Sequence, residues 1–283
     1  MSDVALDIHP DAAPAAPPTG GGTEVIYRHR LVVRITHWIN VICITLLLMT
    51  GLQIFNAHPM LYWGQYGADA DPPVFGMTAS HGHGYTQIGD QQIDTTGVLG
   101  LSGGEVRGFP GWVTWPSHRN LALGRSWHFF MAWLFVINGL IYLISGAING
   151  HFKRDLAPTR AQLRPSHIWR DIVDHIRLKH PVGEEAKSFN VLQKFAYLSV
   201  VFILLPGMVL TGLTMSPGFD AFCPLLLTLF GGRQSARTLH FVFANLIVLF
   251  VIVHVVEVFL AGVVNEIGSM ITGRYKVKLG DHG

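Results

Sequence analysis

The chain has 283 residues, of which 49% are hydrophobic and 13% are charged, with a formal net charge of +2. An ordinary soluble domain carries about 25% charged residues, so the composition argues against a soluble protein. The hydrophobic fraction also excludes an intrinsically disordered chain. Basic residues flank apolar runs instead of lining one face, which argues against a nucleic-acid binder.

Cysteine usage excludes several cofactor classes. The chain has two cysteines, Cys43 and Cys223, and no C-x-x-C motif. Covalent c-type haem attachment, a four-cysteine zinc site and an all-cysteine iron–sulfur cluster all need more cysteines or closer spacing.

Residues 1–23 are rich in Pro, Ala and Gly, which predicts a disordered N-terminal tail without a signal peptide. The rest, 24–275, is predicted to be a membrane domain, followed by a C-terminal tail at 276–283. Its apolar runs each reach the ~20 residues that a transmembrane helix needs. They cover 35–55, 127–148, 191–214 and 238–264. The sequence therefore predicts an all-α protein, an integral membrane four-helix bundle, with a bend at Pro206-Gly207 in the third helix.

Lysine and arginine are concentrated in alternate connections. They are abundant before the first run, in the link 149–190 and near the C-terminus, and sparse in the links 56–126 and 215–237. The positive-inside rule then places both termini and the link 149–190 in the cytoplasm. We expect a multi-pass protein of a bacterial inner membrane.

The predicted extracytoplasmic link 56–126 is long, glycine-rich and contains Trp63, Trp112 and Trp115. Two interpretations stay open for this insertion: a docking surface for an extracytoplasmic partner, or an irregular cap on the bundle.

The apolar runs contain His37, His128, His240 and His254. His240 and His254 are 14 residues apart, so they share a helix face at levels ~21 Å apart. With the predicted topology, His128 is level with His240 near the outer surface, and His37 is level with His254 near the inner surface. Two histidine pairs at two depths predict two bis-histidine sites, the arrangement that holds a non-covalent b haem.

Three of these histidines follow an arginine in the pattern R-x-x-H, which places the arginine one turn nearer the membrane surface. The arginines are Arg34, Arg125 and Arg237. They could pair with haem propionates. The alternative is that they are ordinary interfacial arginines at helix ends.

At these motifs the chain resembles a known family, the di-haem cytochrome b subunits of membrane-bound oxidoreductases. The resemblance covers about residues 27–275 and depends on R-I-T-H-W at 34–38, Trp127-His128, and His240 with His254. Such subunits serve Ni,Fe-hydrogenase, formate dehydrogenase, thiosulfate reductase and related molybdenum enzymes. The resemblance implies two haem b groups, with His128 and His240 on the outer haem and His37 and His254 on the inner haem.

The resemblance also implies a quinone site near the inner haem. Glu257 is a carboxylate within an apolar run, one turn beyond His254, and could exchange protons with a quinone. Its alternative is an interfacial glutamate. Asn149 and His151, at the end of the second helix, could hydrogen-bond a quinone carbonyl. Their alternative is a helix C-cap.

The predicted function is electron transfer by a membrane-anchoring subunit between the quinone pool and an extracytoplasmic catalytic partner. That partner would be of the molybdopterin or hydrogenase type, joined either directly or through an iron–sulfur subunit. No residue of this chain is predicted to be catalytic. The alternatives are a stand-alone transmembrane haem reductase and a transporter whose histidines bind a metal ion or relay protons.

Overall fold

A computed structural model describes residues 23–67, 71–177 and 190–278. The predicted disordered tail over residues 1–22 lies outside the described residues, as do residues 279–283.

The described residues contain four helical spans long and apolar enough to cross a membrane, in agreement with the predicted helical bundle. They are α1 (Leu31–Phe55), α2 (Leu121–Ile148), a third span over Val191–Thr214, and α8 (Arg233–Thr272). Three of them start before the apolar run from which they were predicted. The segments just before these apolar runs, which contain Arg34, Arg125 and Arg237, are therefore helical as well.

Irregular hydrogen bonding interrupts the third span before Pro206. The span consists of α4 (Val191–Ser199), a π-helical segment (Val200–Leu204) and α5 (Leu205–Thr214). Proline has no N–H to donate to the preceding turn, and a wider π turn accommodates the missing bond. A second irregularity, which was not predicted, is the non-helical Gly262 within α8 (φ 108°, ψ 86°).

The bundle consists of two packed helix pairs, α1 with α2 and α5 with α8, which contact each other less extensively. Cys43 of α1 and Met131 and Phe135 of α2 form a small buried cluster. The buried Asn138 of α2 donates from Nδ2 to the Thr36 carbonyl at 2.8 Å.

The insertion 56–126 contains β-structure, so the all-α prediction is wrong for this part of the chain. A four-stranded antiparallel sheet has the order β2-β3-β4-β5 and a separate hairpin joins β6 to β7. The strands are β2 (Met60–Leu61), β3 (Phe75–Ser80), β4 (His83–Ile88), β5 (Gln91–Asp94), β6 (Gly100–Ser102) and β7 (Glu105–Arg107). His81 and Gly82, both with positive φ, make the tight turn between β3 and β4.

Buried polar contacts fix the insertion to the end of α1. Arg107 is 5% exposed and donates to the Gln53 Oε1 at 3.2 Å and to the Ser117 carbonyl at 2.9 Å. Asn56 exchanges two hydrogen bonds with the backbone of Phe109. A long loop with so many buried partners is an ordered cap over this end of the bundle.

The insertion also caps the first turn of α8. The Gly64 carbonyl accepts from the backbone N–H groups of Gln234 and Ser235, both at 3.1 Å, and the Gln65 side chain accepts from Arg233 N–H at 3.1 Å. The first N–H groups of a helix have no partner within it, so this segment replaces an ordinary N-cap. We call this end of the bundle the insertion end. Short helices α6 (Pro217–Phe222) and α7 (Pro224–Leu229) join α5 to α8 there.

The opposite end, here the terminal end, carries a two-stranded antiparallel sheet of β1 (Thr23–Tyr27) and β8 (Arg274–Lys278). Thr23 and Lys276–Lys278, which the sequence places in the two tails, are therefore strand residues. The Trp38 indole of α1 donates to the Met270 carbonyl at 3.2 Å, which ties the first and last helices together. An amphipathic helix, α3 (Pro165–Ile176), belongs to the link between α2 and α4.

Candidate functional site

The structure brings the four predicted histidines together as two pairs. At the insertion end, the ring centres of His128 and His240 are 6.4 Å apart with an interplanar angle of 61°. At the terminal end, those of His37 and His254 are 6.3 Å apart at 63°. The pairing is the one that the depth argument predicts, and each pair joins two different helices.

The spacing of each pair fits one metal atom between two imidazoles. A bond from a metal to an imidazole nitrogen is about 2.0 Å, and the ring centre lies roughly 1 Å further back, so two such ligands place their centres about 6 Å apart. Within the described ranges, no three His, Cys, Asp or Glu side chains come together in a metal-binding arrangement. The arrangement therefore suits a metal that brings its own equatorial ligands, as a haem iron does.

The insertion-end histidines are held by residues that the sequence analysis missed. The Nδ1 atom of His128 lies 2.9 Å from Thr50 Oγ1, and that of His240 lies 3.0 Å from Thr211 Oγ1. The signal was present in the sequence, because Thr-Gly-Leu occurs at 50–52 in α1 and again at 211–213 in α5.

The glycines of these two motifs leave space beside the rings. A Cβ added at Gly51 would lie 3.4 Å from His128 Cε1, and one added at Gly212 would lie 3.4 Å from His240 Cε1. The absence of a side chain at both positions keeps the helix surface flat next to each histidine ring. This agrees with a planar group bound between the helix pairs.

The terminal-end pair has a different environment. Among the described residues, His37 Nδ1 and Arg34 Nε are buried without a hydrogen-bond partner. His254 stacks on Phe250 with ring centres 5.7 Å apart, and His37 contacts Trp38 edge-on at 5.4 Å. A half-buried guanidinium whose Nε lacks a partner, close to a histidine pair, suits an anionic substituent such as a haem propionate.

The other two predicted propionate arginines differ from Arg34. The Arg237 guanidinium donates to the Met60 carbonyl at 3.0 Å and to the His58 carbonyl, so it binds the insertion. Arg125 is exposed and lies over the Phe129 ring at 5.8 Å. Of the three, Arg34 is the one whose surroundings best match the predicted role.

A cleft of about 140 Å³ opens at the terminal end and contains two of the predicted quinone residues. It is lined by Arg30, Leu31, Val32, Val33, Tyr142, Ser145, Gly146, Asn149 and His151. Asn149 also acts as the C-cap of α2 and donates to the Ser145 carbonyl at 2.9 Å, as the alternative interpretation proposed.

Titratable groups surround this cleft. His151 Nδ1 lies 2.7 Å from Asp155 Oδ2. Hydrogen bonds from Arg154 and from His151 hold the pKa of Asp155 below its usual range. Burial, aided by the positive charges of Arg28 and other neighbours, lowers the pKa of His29 from 6.5 to about 4. At neutral pH the cleft therefore has an ionised carboxylate and an uncharged imidazole close to it.

Glu257 lies elsewhere at the terminal end. It is half-buried on α8 and is close enough to His254 and Tyr197 to interact electrostatically with both. It is not among the residues that line the cleft in the described part of the chain. The predicted quinone residues thus form two separate groups, one around His151 and one around Glu257.

Comparison with known proteins decides the family. Residues 28–273 match the prokaryotic cytochrome b561 family. The chain belongs to this family. A relative in Azospira oryzae, named putative protein-methionine-sulfoxide reductase subunit YedZ1, is 28% identical over 241 residues, which cover 83% of this chain and 91% of the relative. No solved structure matches the chain.

Membership confirms the resemblance to cytochrome b subunits that the histidine motifs indicated. The chain is a multi-pass membrane haem protein of the cytochrome b561 family with a role in electron transfer. The family implies haem b as its cofactor.

Proposed function

We propose that the chain holds two b haems and passes electrons between the membrane quinone pool and an extracytoplasmic oxidoreductase. One observation carries the proposal. Two histidine pairs lie at the two ends of one bundle, and the ring centres within each pair are 6.4 Å and 6.3 Å apart. When bound, each haem supplies one-electron chemistry, and the protein fixes its ligands and surroundings.

The two pairs provide a path across the bilayer. His240 and His254 belong to the same helix, and 14 residues separate their levels by ~21 Å. This is most of the ~30 Å thickness of a hydrocarbon core. Electrons that move between the two levels cross most of the apolar layer.

A quinone site at the cleft of the terminal end is the second part of the proposal. Reduction or oxidation of a quinone requires proton exchange, and His151 in the cleft wall is hydrogen-bonded to Asp155 behind it. Tyr142 and Arg30 add further polar groups to a lining that also contains the apolar side chains of Leu31, Val32 and Val33. Glu257 is the second candidate, because it is electrostatically coupled to the ligand His254.

The partner oxidoreductase is assigned to the insertion end. The relative's printed name makes it a subunit of a putative reductase, which supports a subunit role for this chain. The ordered insertion presents the exposed aromatic residues Trp63, Tyr66 and Trp112. Aromatic residues are enriched at protein interfaces, so the insertion is a suitable contact surface. A molybdopterin or hydrogenase type of partner, as the first resemblance implied, remains a proposal.

The distribution of Lys and Arg supports cytoplasmic termini in a bacterial inner membrane. Reporter fusions test this part separately. Fusions at Gly283 and within the link 149–190 are expected to report the cytoplasm, and a fusion near Gly97 the exported side. An exported C-terminus would reverse the assignment of both histidine pairs.

Haem quantitation tests the central proposal. A pyridine haemochrome assay on the purified chain is expected to give two b haems per polypeptide, with a reduced-minus-oxidised spectrum of b type. One haem or none contradicts the proposal, and no haem at all would favour the transporter. Purification that never retains a second subunit would favour a stand-alone reductase.

A further inference from the structure

The two insertion-end histidines have the same side-chain support. Each Nδ1 atom faces the hydroxyl of a threonine on the helix packed against its own, Thr50 for His128 and Thr211 for His240, at 2.9 and 3.0 Å. Both threonines are 0% exposed. Each ligand histidine therefore has a fixed buried neighbour on the side of the ring that carries Nδ1.

The direction of these hydrogen bonds follows from the other partners of the threonines. Thr50 Oγ1 lies 2.6 Å from the Leu46 carbonyl, and Thr211 Oγ1 lies 2.6 Å from the Gly207 carbonyl. A hydroxyl has one proton, and a carbonyl can only accept. The threonine proton is therefore donated to the carbonyl, and the hydroxyl oxygen accepts from the histidine Nδ1–H.

Backbone carbonyls support the same assignment. Thr50 Oγ1 also lies 3.2 Å from the Leu47 carbonyl, and Thr211 Oγ1 lies 3.2 Å from the Met208 carbonyl, so each hydroxyl has a second group that can only accept its proton. With Nδ1 protonated, the lone pair of each neutral ring is on Nε2. That is the atom a haem iron requires, and the hydrogen bond at Nδ1 makes it a stronger electron donor.

The terminal-end pair lacks this device in the described part of the chain. His37 Nδ1 is buried without a hydrogen-bond partner there, and His254 stacks on Phe250. Threonine support is therefore a difference between the two sites and not a general property of the bundle.

We propose that Thr50 and Thr211 are positioning residues that fix the Nδ1–H tautomer of His128 and His240 and lower the reduction potential of the insertion-end haem. The inference rests on the proposed two-haem function. Its physical basis is that a more basic imidazole stabilises ferric iron more than ferrous iron.

The test replaces each threonine by valine, which keeps the branched shape and removes the hydroxyl. In Thr50→Val and Thr211→Val, a redox titration followed optically is expected to show a raised midpoint potential for one haem and an unchanged one for the other. The low-spin ferric electron paramagnetic resonance signal of the same haem is expected to shift. In the double variant, the midpoint potential and the resonance signal of this haem are expected to shift further. Thr50→Ser is expected to keep the parental values of both.

Two threonines of the same helices serve as matched controls. Thr45 of α1 bonds the Val41 carbonyl at 2.8 Å at an exposed position, and Thr214 of α5 is 0% exposed and bonds the Leu210 carbonyl at 2.8 Å. Neither bonds a histidine in the hydrogen bonds that the structure shows. Thr45→Val and Thr214→Val are expected to keep both potentials.

The outcomes separate the inference from the proposal on which it rests. Fewer than two haems in the parental protein contradicts the proposed function. Two haems with both potentials and resonance signals unmoved in the valine variants overturns the threonine role alone, as does an equal shift in Thr214→Val. If Thr50→Val folds but loses one haem, retention of both in Thr214→Val and in Thr50→Ser supports the role, since losing such a partner weakens metal binding ~10–100-fold.

Discussion

The two histidine pairs have nearly equal ring separations but very different surroundings. The insertion-end pair is supported by two buried threonines and lies below an ordered cap that also completes the first turn of α8. The terminal-end pair lies near a cleft bordered by a tyrosine, a histidine–carboxylate pair and an arginine.

This difference fits the two separate roles that the proposed function gives to the histidine pairs. A site that only passes electrons gains from rigid ligands and few titratable groups, because little then has to rearrange on reduction. A site that exchanges electrons with a quinone also needs space for the molecule and groups that move protons. Under the proposed function, the same bis-histidine geometry would serve two tasks, and the surrounding residues would distinguish them.

The largest expected effect tests whether the two sites are independent. His128→Ala or His240→Ala is expected to remove the same single haem, so that the pyridine haemochrome value falls from two to one per chain. His37→Ala or His254→Ala is expected to remove the other haem. Loss of both haems from any single variant, in protein that remains folded, would show that the pairs do not bind separately.

The next effect concerns the cleft. His151→Gln removes the imidazole that is hydrogen-bonded to Asp155 at 2.7 Å while keeping a hydrogen-bonding side chain. Quinol oxidation is expected to fall by roughly 10²-fold, as is typical when an acid–base group is lost, with both haems retained. His167→Gln is the matched control, because His167 and Asp171 form the same i, i+4 pair in α3 at 3.6 Å.

Glu257→Gln decides between the two candidate proton groups. It removes a charge and a titratable proton but preserves size. If the His151 assignment is right, quinol oxidation stays close to the parental rate, and electron exchange between the partner and the insertion-end haem is unaffected. A large decrease in the rate of quinol oxidation in Glu257→Gln, together with a parental rate in His151→Gln, would contradict the His151 assignment and favour a quinone site at Glu257 of α8.

The histidine pairs could be predicted from the sequence because they depend on one spacing within a helix and on the predicted order of the membrane spans. An α-helix repeats every 3.6 residues, so 14 residues between His240 and His254 set both face and depth. The apolar runs set the membrane spans in the same direct way. Both inferences use local patterns, and matching the histidines between helices needs only the Lys and Arg distribution of the links.

The threonines and the insertion were not predictable in that way. A threonine within a helix usually bonds its own preceding turn, and Thr50 does so, which hides its second contact with His128 78 positions away. The insertion has short strands with many glycines, whose alternation is too brief to identify. Arg237 follows the same R-x-x-H pattern as Arg34, and only the folded insertion shows that its partners are Met60 and His58.

A smaller effect tests the anchoring of the insertion. Arg237→Gln removes charge-assisted hydrogen bonds to two backbone carbonyls, so we expect a loss of about 2 kcal/mol in the free energy of unfolding and faster proteolysis of the insertion. Arg125→Gln, at the matching and exposed position of α2, is expected to change stability by less than about 0.5 kcal/mol. A shifted haem potential in Arg237→Gln with unchanged proteolysis would favour the propionate role instead.

The smallest expected effect is the pH dependence of the terminal end. The pKa of His29 is lowered from 6.5 to about 4, mainly by burial. Between these two pH values the imidazole is protonated in the unfolded chain and neutral in the folded chain. The stability that depends on neutral His29 is complete above pH 6.5 and decreases as the pH falls from 6.5 to about 4. Partial solvent exposure reduces the effect on the free energy of unfolding to about 1–2 kcal/mol, or a few °C in melting temperature.

Thermal unfolding followed by tryptophan fluorescence between pH 7.5 and 5 tests this effect. The acid-induced decrease in melting temperature is expected to be smaller in His29→Gln than in the parental protein. His83→Gln removes an exposed histidine of β4 at the other end and is expected to retain the full decrease; an equal reduction in both variants would show that the slope does not come from His29.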